Sequence, residues 1–211
     1  WQRQHVITTT APDEGHELDV LWRSGTRYEW HVACPHCGHA FVPQWGAEIF
    51  PVEQVVGWAI ELCDVLDYLH THKPEPIIFR DMKPSNVMIN QHGRIVLIDF
   101  GIAKAFQHGQ KGTMMGTEGY SPPEQYRGEG SPVGDIYALG ATLHHILTRK
   151  DPQKEPPFTF AERPIREFNP QVSPELEAVI KKALEYLPED RYQSAKEMKE
   201  ALVHAIRMEG I

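Results

Sequence analysis

Phe79-Arg80-Asp81-Met82-Lys83-Pro84-Ser85-Asn86, with Asp99-Phe100-Gly101 downstream of it, is the part of this 211-residue sequence on which the reading of the fold turns. Neither triplet, Arg-Asp-Met or Asp-Phe-Gly, says much alone, because each recurs as a turn or a surface ion pair. Their order and separation carry the information. Two carboxylates, an amide and an ammonium group fall on two loops parted by short apolar stretches. Asp and Asn oxygens are hard ligands suited to Mg²⁺. A lysine is suited to anionic oxygen, and a carboxylate can accept a proton.

Around this centre the chain has regular periodicity. Val55, Ala59, Leu62, Leu66 and Leu69 line one face of an amphipathic helix, with Pro51 suited to its start and Pro74 to its end. Ile77 to Phe79, Val87 to Ile89 and Ile95 to Ile98 are too short for helices and read as strands, the last two parted by Gln91-His92-Gly93. Asp135 to Leu147 reads as a buried helix. Ser173-Pro174-Glu175 opens another, with an N-cap serine and proline at the first helical position. Ser194 and Glu197 form a capping box before Met198, Ala201, Leu202 and Ala205. The C-terminal two-thirds is predicted to be mostly helical, giving an α+β fold that is mainly α.

Composition narrows the classes. Hydrophobic residues at 41% and charged residues at 24% predict a packed core. No apolar run approaches the roughly 18 residues that a membrane-spanning helix needs. The 21 basic against 29 acidic residues give a net charge of −8, which disfavours nucleic acid as a partner. Three cysteines do not make a disulfide framework at this length and point to a reducing compartment, by default the cytoplasm. Trp1 at the start, with no leader pattern after it, reads as an internal fragment.

Phosphoryl transfer asks for cation ligands, charge stabilisation on the transferred group and an acceptor for the nucleophile's proton; Asp81, Lys83, Asn86 and Asp99 offer them. On these motifs residues 51-211 resemble the large lobe of bacterial-type serine/threonine protein kinases, with residues 79-86 as the catalytic loop and 99-124 as the activation segment. The resemblance implies ATP and Mg²⁺ as cofactors and a protein Ser or Thr hydroxyl as acceptor. It makes Asp81 the catalytic base, Asn86 and Asp99 metal ligands, and Lys83 a contact to the transferring phosphate. Gly116-Thr117-Glu118-Gly119-Tyr120-Ser121-Pro122-Pro123-Glu124 resembles the end of the activation segment, with Thr117 beside Asp81. Asp135 would steady the catalytic loop from a buried helix, and Glu124 and Arg191 would form a buried ion pair. Arg80, joined by Lys104, would receive a phosphate on Thr113 or Thr117. Phe79 stands where the family has histidine and is expected to pack on the Asp-Phe-Gly region.

The family's small lobe, with its glycine-rich loop and phosphate-anchoring lysine, has no counterpart in residues 1-50; the first lysine is Lys73. Little turnover is therefore expected of the isolated chain, along with self-association through uncovered apolar surface. A pseudokinase-like interaction module is the alternative function. In residues 1-50, Cys34-Pro35-His36-Cys37 has knuckle spacing for Zn²⁺, needing further ligands from His31, His36, His39 or a second chain. That would make a zinc-knuckle, nucleic-acid-associated segment. The same region is similar to a stretch of phage terminase large subunits, so the sequence looks like a junction of two partial domains near residue 50.

Overall fold

The computed structural model describes residues 32–33, 40–41, 50–90, 93–100, 104–105, 116–154 and 159–208. The zinc-knuckle cysteines Cys34 and Cys37, their accompanying histidines and Thr113 lie outside these residues, as does Gly101.

Two residue pairs, β1 (Val32–Ala33) and β2 (Ala40–Phe41), run antiparallel with Val32 opposite Phe41. Helix α1 (Val52–His70) follows, and the five apolar positions of its predicted face are all buried. It packs on α2 (Pro132–Thr148) and on α5 (Ala195–Met208), while α2 also packs on α4 (Pro174–Ala183). A short α3 (Ile165–Phe168) bridges α2 and α4 and was not foreseen, because a single turn leaves no periodicity to read. Burial pushes the Cys63 thiol of α1 up to about 12, with Asp64 adding to the effect.

The remaining strands form two small antiparallel pairs. β3 (Ile77–Ile78) pairs antiparallel with β6 (Lys104–Ala105), and β4 (Val87–Ile89) with β5 (Ile95–Leu97), Met88 opposite Val96. The β4–β5 hairpin is fastened to α1 at its turn. Trp58 Nε1 donates to Gly93 O at 3.3 Å, and Glu61 both accepts from Ile95 N at 3.1 Å and pairs with Arg94 at 2.8 Å. Among the described residues no helix is long and apolar enough to cross a membrane.

Helix starts follow the capping chemistry of the sequence. Ser131 Oγ accepts from Gly134 N at 3.1 Å with Pro132 at the first position, so α2 begins earlier than its apolar pattern suggested. Ser173 Oγ accepts from Leu176 N at 3.1 Å and Ser194 Oγ from Glu197 N at 3.1 Å. The expected return bond of the capping box is displaced by one residue, because Glu197 accepts from Gln193 N at 2.8 Å. Gly140 of α2 meets α4 so closely that a Cβ would lie 3.0 Å from that of Ala183.

Two buried polar groups in the helical layer have energetic consequences. Arg191, fully buried, donates in fork geometry to Glu124 at 2.6 and 3.1 Å, and also to the carbonyls of Glu185 and Tyr186; its guanidinium lies 4.8 Å from the Tyr137 ring centroid. His144 Nε2 donates to Arg163 O at 2.8 Å, and burial pushes its imidazole down from 6.5 to about 4.

Two outcomes are expected in denaturant titrations. Arg191→Met strands the Glu124 carboxylate and costs about 3–5 kcal/mol. His144 is held neutral in the fold, so the unfolded chain takes up its proton first; the stabilisation is complete above pH 6.5 and is lost as pH falls towards 4. From pH 6.5 to 5 this loss is about 2 kcal/mol. His144→Gln should lack it, and an unchanged acid slope in that variant would contradict the assignment.

Candidate active site

The loop between β3 and β4 is shaped by an acid buried in a neighbouring helix. Asp135, in the first turn of α2, accepts from Phe79 N at 2.8 Å through Oδ2 and from Arg80 N at 2.7 Å through Oδ1. His70 Nε2, at the end of α1, lies 2.8 Å from Oδ2. These bonds hold Arg80 at φ 70°, a left-handed conformation that a side chain with a Cβ adopts only under constraint. Gln125 Nε2 secures the following peptide by donating to Arg80 O at 2.9 Å.

Turned this way, the chain delivers Asp81 into a compact polar cluster. Thr117 Oγ1 donates to Asp81 Oδ1 at 2.5 Å, Lys83 Nζ lies 2.8 Å from Asp81 Oδ2, and Lys83 Nζ also donates to Thr117 Oγ1 at 2.8 Å. Asn86 Nδ2 donates to both Asp81 O and Asp81 Oδ2 at 2.8 Å. Asn86 closes a single 3₁₀ turn, Pro84–Asn86, and its carbonyl accepts from Ile98 N at 2.9 Å. That backbone bond sets the residue before Asp99 beside Asn86. Asp99 itself is half-buried at φ 61°. Next to it, Phe100 meets Phe79 edge-on, with ring centroids 5.0 Å apart.

The amide nitrogen of Asn86 is committed to Asp81, which leaves its carbonyl oxygen as the ligand-type atom. Amide and carboxylate oxygens such as those of Asn86 and Asp99 are hard donors of the kind that suits Mg²⁺. Among the described residues there is no cluster of three or more His, Cys, Asp or Glu able to hold a metal on its own.

Thr117 is therefore enclosed by Asp81 and Lys83, and a phosphate on it would set its charge against the Asp81 carboxylate. Arg80 is buried, and its Nε has no hydrogen-bond partner. Its guanidinium lies under Gly130, where a Cβ would come within 2.7 Å of Nε. The Lys104 backbone pairs with Ile78 across the β3–β6 ladder. Three contributors to the site were not singled out from sequence: His70, Gln125 and the Tyr120–His145 pair, whose hydroxyl and Nδ1 lie 2.5 Å apart. His70 and His145 sit inside helical periodicity, and nothing local marks a helical histidine as a partner of residues far away in the chain.

A buried helix acid that organises the loop before β4, a carboxylate–lysine–asparagine cluster, and Asp99 and Phe100 just past β5 are together consistent with a kinase-type large lobe. The protein kinase domain family matches residues 39–205, and the chain belongs to that family. The serine/threonine-protein kinase PknB of Mycolicibacterium smegmatis is 38% identical over 157 residues, covering 68% of this chain and 25% of that protein. PknB of Mycobacterium leprae is 35% identical over 166 residues, 72% of this chain and 26% of its own length. The serine/threonine-protein kinase PknA of a Nostoc species is 37% identical over 153 residues, 68% and 27% respectively. The chain thus spans about a quarter of the length of these curated relatives, and it is of the bacterial serine/threonine type.

Replacing Asp135 with Ala leaves two buried amides without an acceptor, at about 1–3 kcal/mol each. Urea unfolding should show a loss of about 3 kcal/mol or more, with Asp135→Asn losing less because one carbonyl oxygen remains. Equal losses in both variants would mean that the amide contacts are not what the carboxylate contributes.

Proposed function

We propose that this chain is the catalytic large-lobe portion of a serine/threonine protein kinase, which transfers the γ-phosphoryl group of ATP to Ser or Thr hydroxyls of proteins. The observation that carries the reading is the closed cluster of Asp81, Lys83, Asn86 and Thr117. Asp81 accepts the hydroxyl proton of the substrate. Lys83, fixed between Asp81 and Thr117, supplies positive charge towards the transferring phosphoryl oxygens. Transfer of this kind depends on positioning and electrostatic stabilisation rather than on covalent chemistry by the protein.

Asn86 and Asp99 are the residues that would hold Mg²⁺, which neutralises phosphate charge when bound. Thr117 orients Asp81 and marks the floor on which the acceptor peptide lies. Its enclosed hydroxyl favours this role over modification, which leaves Thr113 as the activation-segment phosphosite, with Arg80 and Lys104 as the cations that the family resemblance assigns to it. Glu124, Asp135 and Arg191 serve the fold. Residues 51-211 form the kinase-like unit in this reading and residues 1-50 a separate N-terminal segment, while the family match begins at residue 39.

Sequence features set the expected strength. No lysine precedes Lys73, so this 211-residue chain brings no phosphate-anchoring lysine upstream of α1, and slow turnover is expected of it in isolation. The decisive experiment is equilibrium binding of a non-hydrolysable ATP analogue with and without Mg²⁺, in the wild type and in Asp99→Asn. Mg²⁺-dependent binding that weakens about tenfold or more in the variant supports the reading, since removing one charged metal ligand costs at least one charge-assisted contact. Binding indifferent to both Mg²⁺ and Asp99, together with no phosphorylation of a serine peptide, would instead assign the chain to protein interaction alone.

A further inference from the structure

The residues that touch Asp81 are held in turn by a buried pair at the far side of the substrate-facing segment. Thr117 O accepts from both Tyr120 N at 3.1 Å and Ser121 N at 3.0 Å, so residues 117–121 form one tight turn. On its near side the turn is tied to Asp81 and Lys83 through Thr117 Oγ1. On its far side Tyr120 is buried, and its hydroxyl reaches His145 Nδ1 at 2.5 Å. Gly119, at φ 82°, abuts the backbone of Pro152, where a Cβ would come within 2.9 Å. His145 belongs to the last turn of α2, and its own carbonyl accepts at 2.7 Å from the N–H of Arg149, the left-handed residue that ends the helix. The far anchor therefore sits on the most deeply buried helix of the fold.

Burial, aided by the Asp151 charge, pushes the Tyr120 phenol up beyond its ordinary range, so its O–H persists at any physiological pH and is available to the ring nitrogen in the tautomer that leaves Nδ1 without a proton. Asp151, whose charge acts on both members of the pair, accepts from Gln153 N at 3.0 Å and pairs with Lys154 at 3.1 Å.

We infer that His145 is a positioning residue of the phosphoryl-transfer site: by accepting from Tyr120 it sets the 117–121 turn, and through Thr117 it sets the Asp81 carboxylate. The inference rests on the reading of Asp81 as acceptor of the substrate proton, but its test needs no turnover. His145→Asn keeps an acceptor close to the Nδ1 position, whereas His145→Leu removes it and Tyr120→Phe removes the donor.

Amide hydrogen exchange at Tyr120 and Ser121 and the ¹³C shift of the Asp81 carboxyl carbon report the two ends of the relay. His145→Leu and Tyr120→Phe should each lose about fivefold to tenfold of the protection at those two amides, the worth of one net hydrogen bond. Both should also move the Asp81 signal, while α2 amides such as those of Leu139 and Leu143 stay protected. His145→Asn should restore both readouts towards wild type. The inference is overturned if the Asp81 signal stays in place in His145→Leu, or if Asn and Leu at 145 behave alike. Those results would leave the kinase reading intact, because Mg²⁺-dependent nucleotide binding is measured separately. Loss of nucleotide binding in Asp99→Asn would likewise say nothing about His145.

Discussion

The carboxylate of Asp135 is the constraint on which the site depends. It is buried, and a buried charge is tolerated only when its oxygens are satisfied. Here they are satisfied by Phe79 N, Arg80 N and His70 Nε2. A left-handed non-glycine residue such as Arg80 costs about 1–2 kcal/mol. Two hydrogen bonds to a charged acceptor contribute about 3–6 kcal/mol together. The balance favours the turned peptide, and the turned peptide is what aims Asp81 at Lys83, Asn86 and Thr117. Were Arg80 to relax, the acceptor of the proposed proton transfer would be drawn out of its cluster although no partner in that cluster had been altered.

A second clamp holds the opposite wall. Glu124 and Gln125 are neighbours at the start of one 3₁₀ turn, yet they face different layers: Glu124 turns to Arg191, and Gln125 to Arg80 O. The segment that carries Glu124 and Gln125 is thus fixed to the helical layer on one side and to the Asp81 loop on the other. Arg191 has the geometry that makes a buried pair tolerable, since its remaining donors reach the Glu185 and Tyr186 carbonyls. Loop residues held from two independent layers can sit in one geometry without belonging to a helix or strand.

What could be read from the sequence, and what could not, divides along the range of the interaction. The short strands at 87 to 89 and 95 to 97 and the serine-capped starts of α4 and α5 are local chemistry, and their residues stand next to one another in the chain. Asp81, Lys83, Asn86 and Asp99 were legible because a motif keeps their spacing. Phe79 could be placed against Phe100 because the family resemblance assigns that position to packing on the Asp-Phe-Gly region. His70, Gln125 and His145 act across separations of 65, 45 and 25 residues, where only the fold brings the partners together. The displaced bond from Glu197 shows the limit of local chemistry too, because a glutamate can satisfy either of two adjacent amides.

The arrangement around Asp81 also bears on how a substrate hydroxyl would be received. An ionised carboxylate has about four lone-pair sites. Oδ2 accepts from Asn86 and faces Lys83, and Oδ1 accepts from Thr117, which leaves one site on Oδ1. The vacancy is on the oxygen nearer Thr117, so an incoming hydroxyl would approach along the same wall that Thr117 and Tyr120 build. Lys83, held by both Asp81 and Thr117, has a donor left for a phosphoryl oxygen, since an ammonium has three. In the proposed reaction the acceptor oxygen and the incoming phosphoryl group are therefore guided by the same two side chains. That economy makes the geometry of Thr117, and of whatever fixes it from behind, as consequential as that of the aspartate itself.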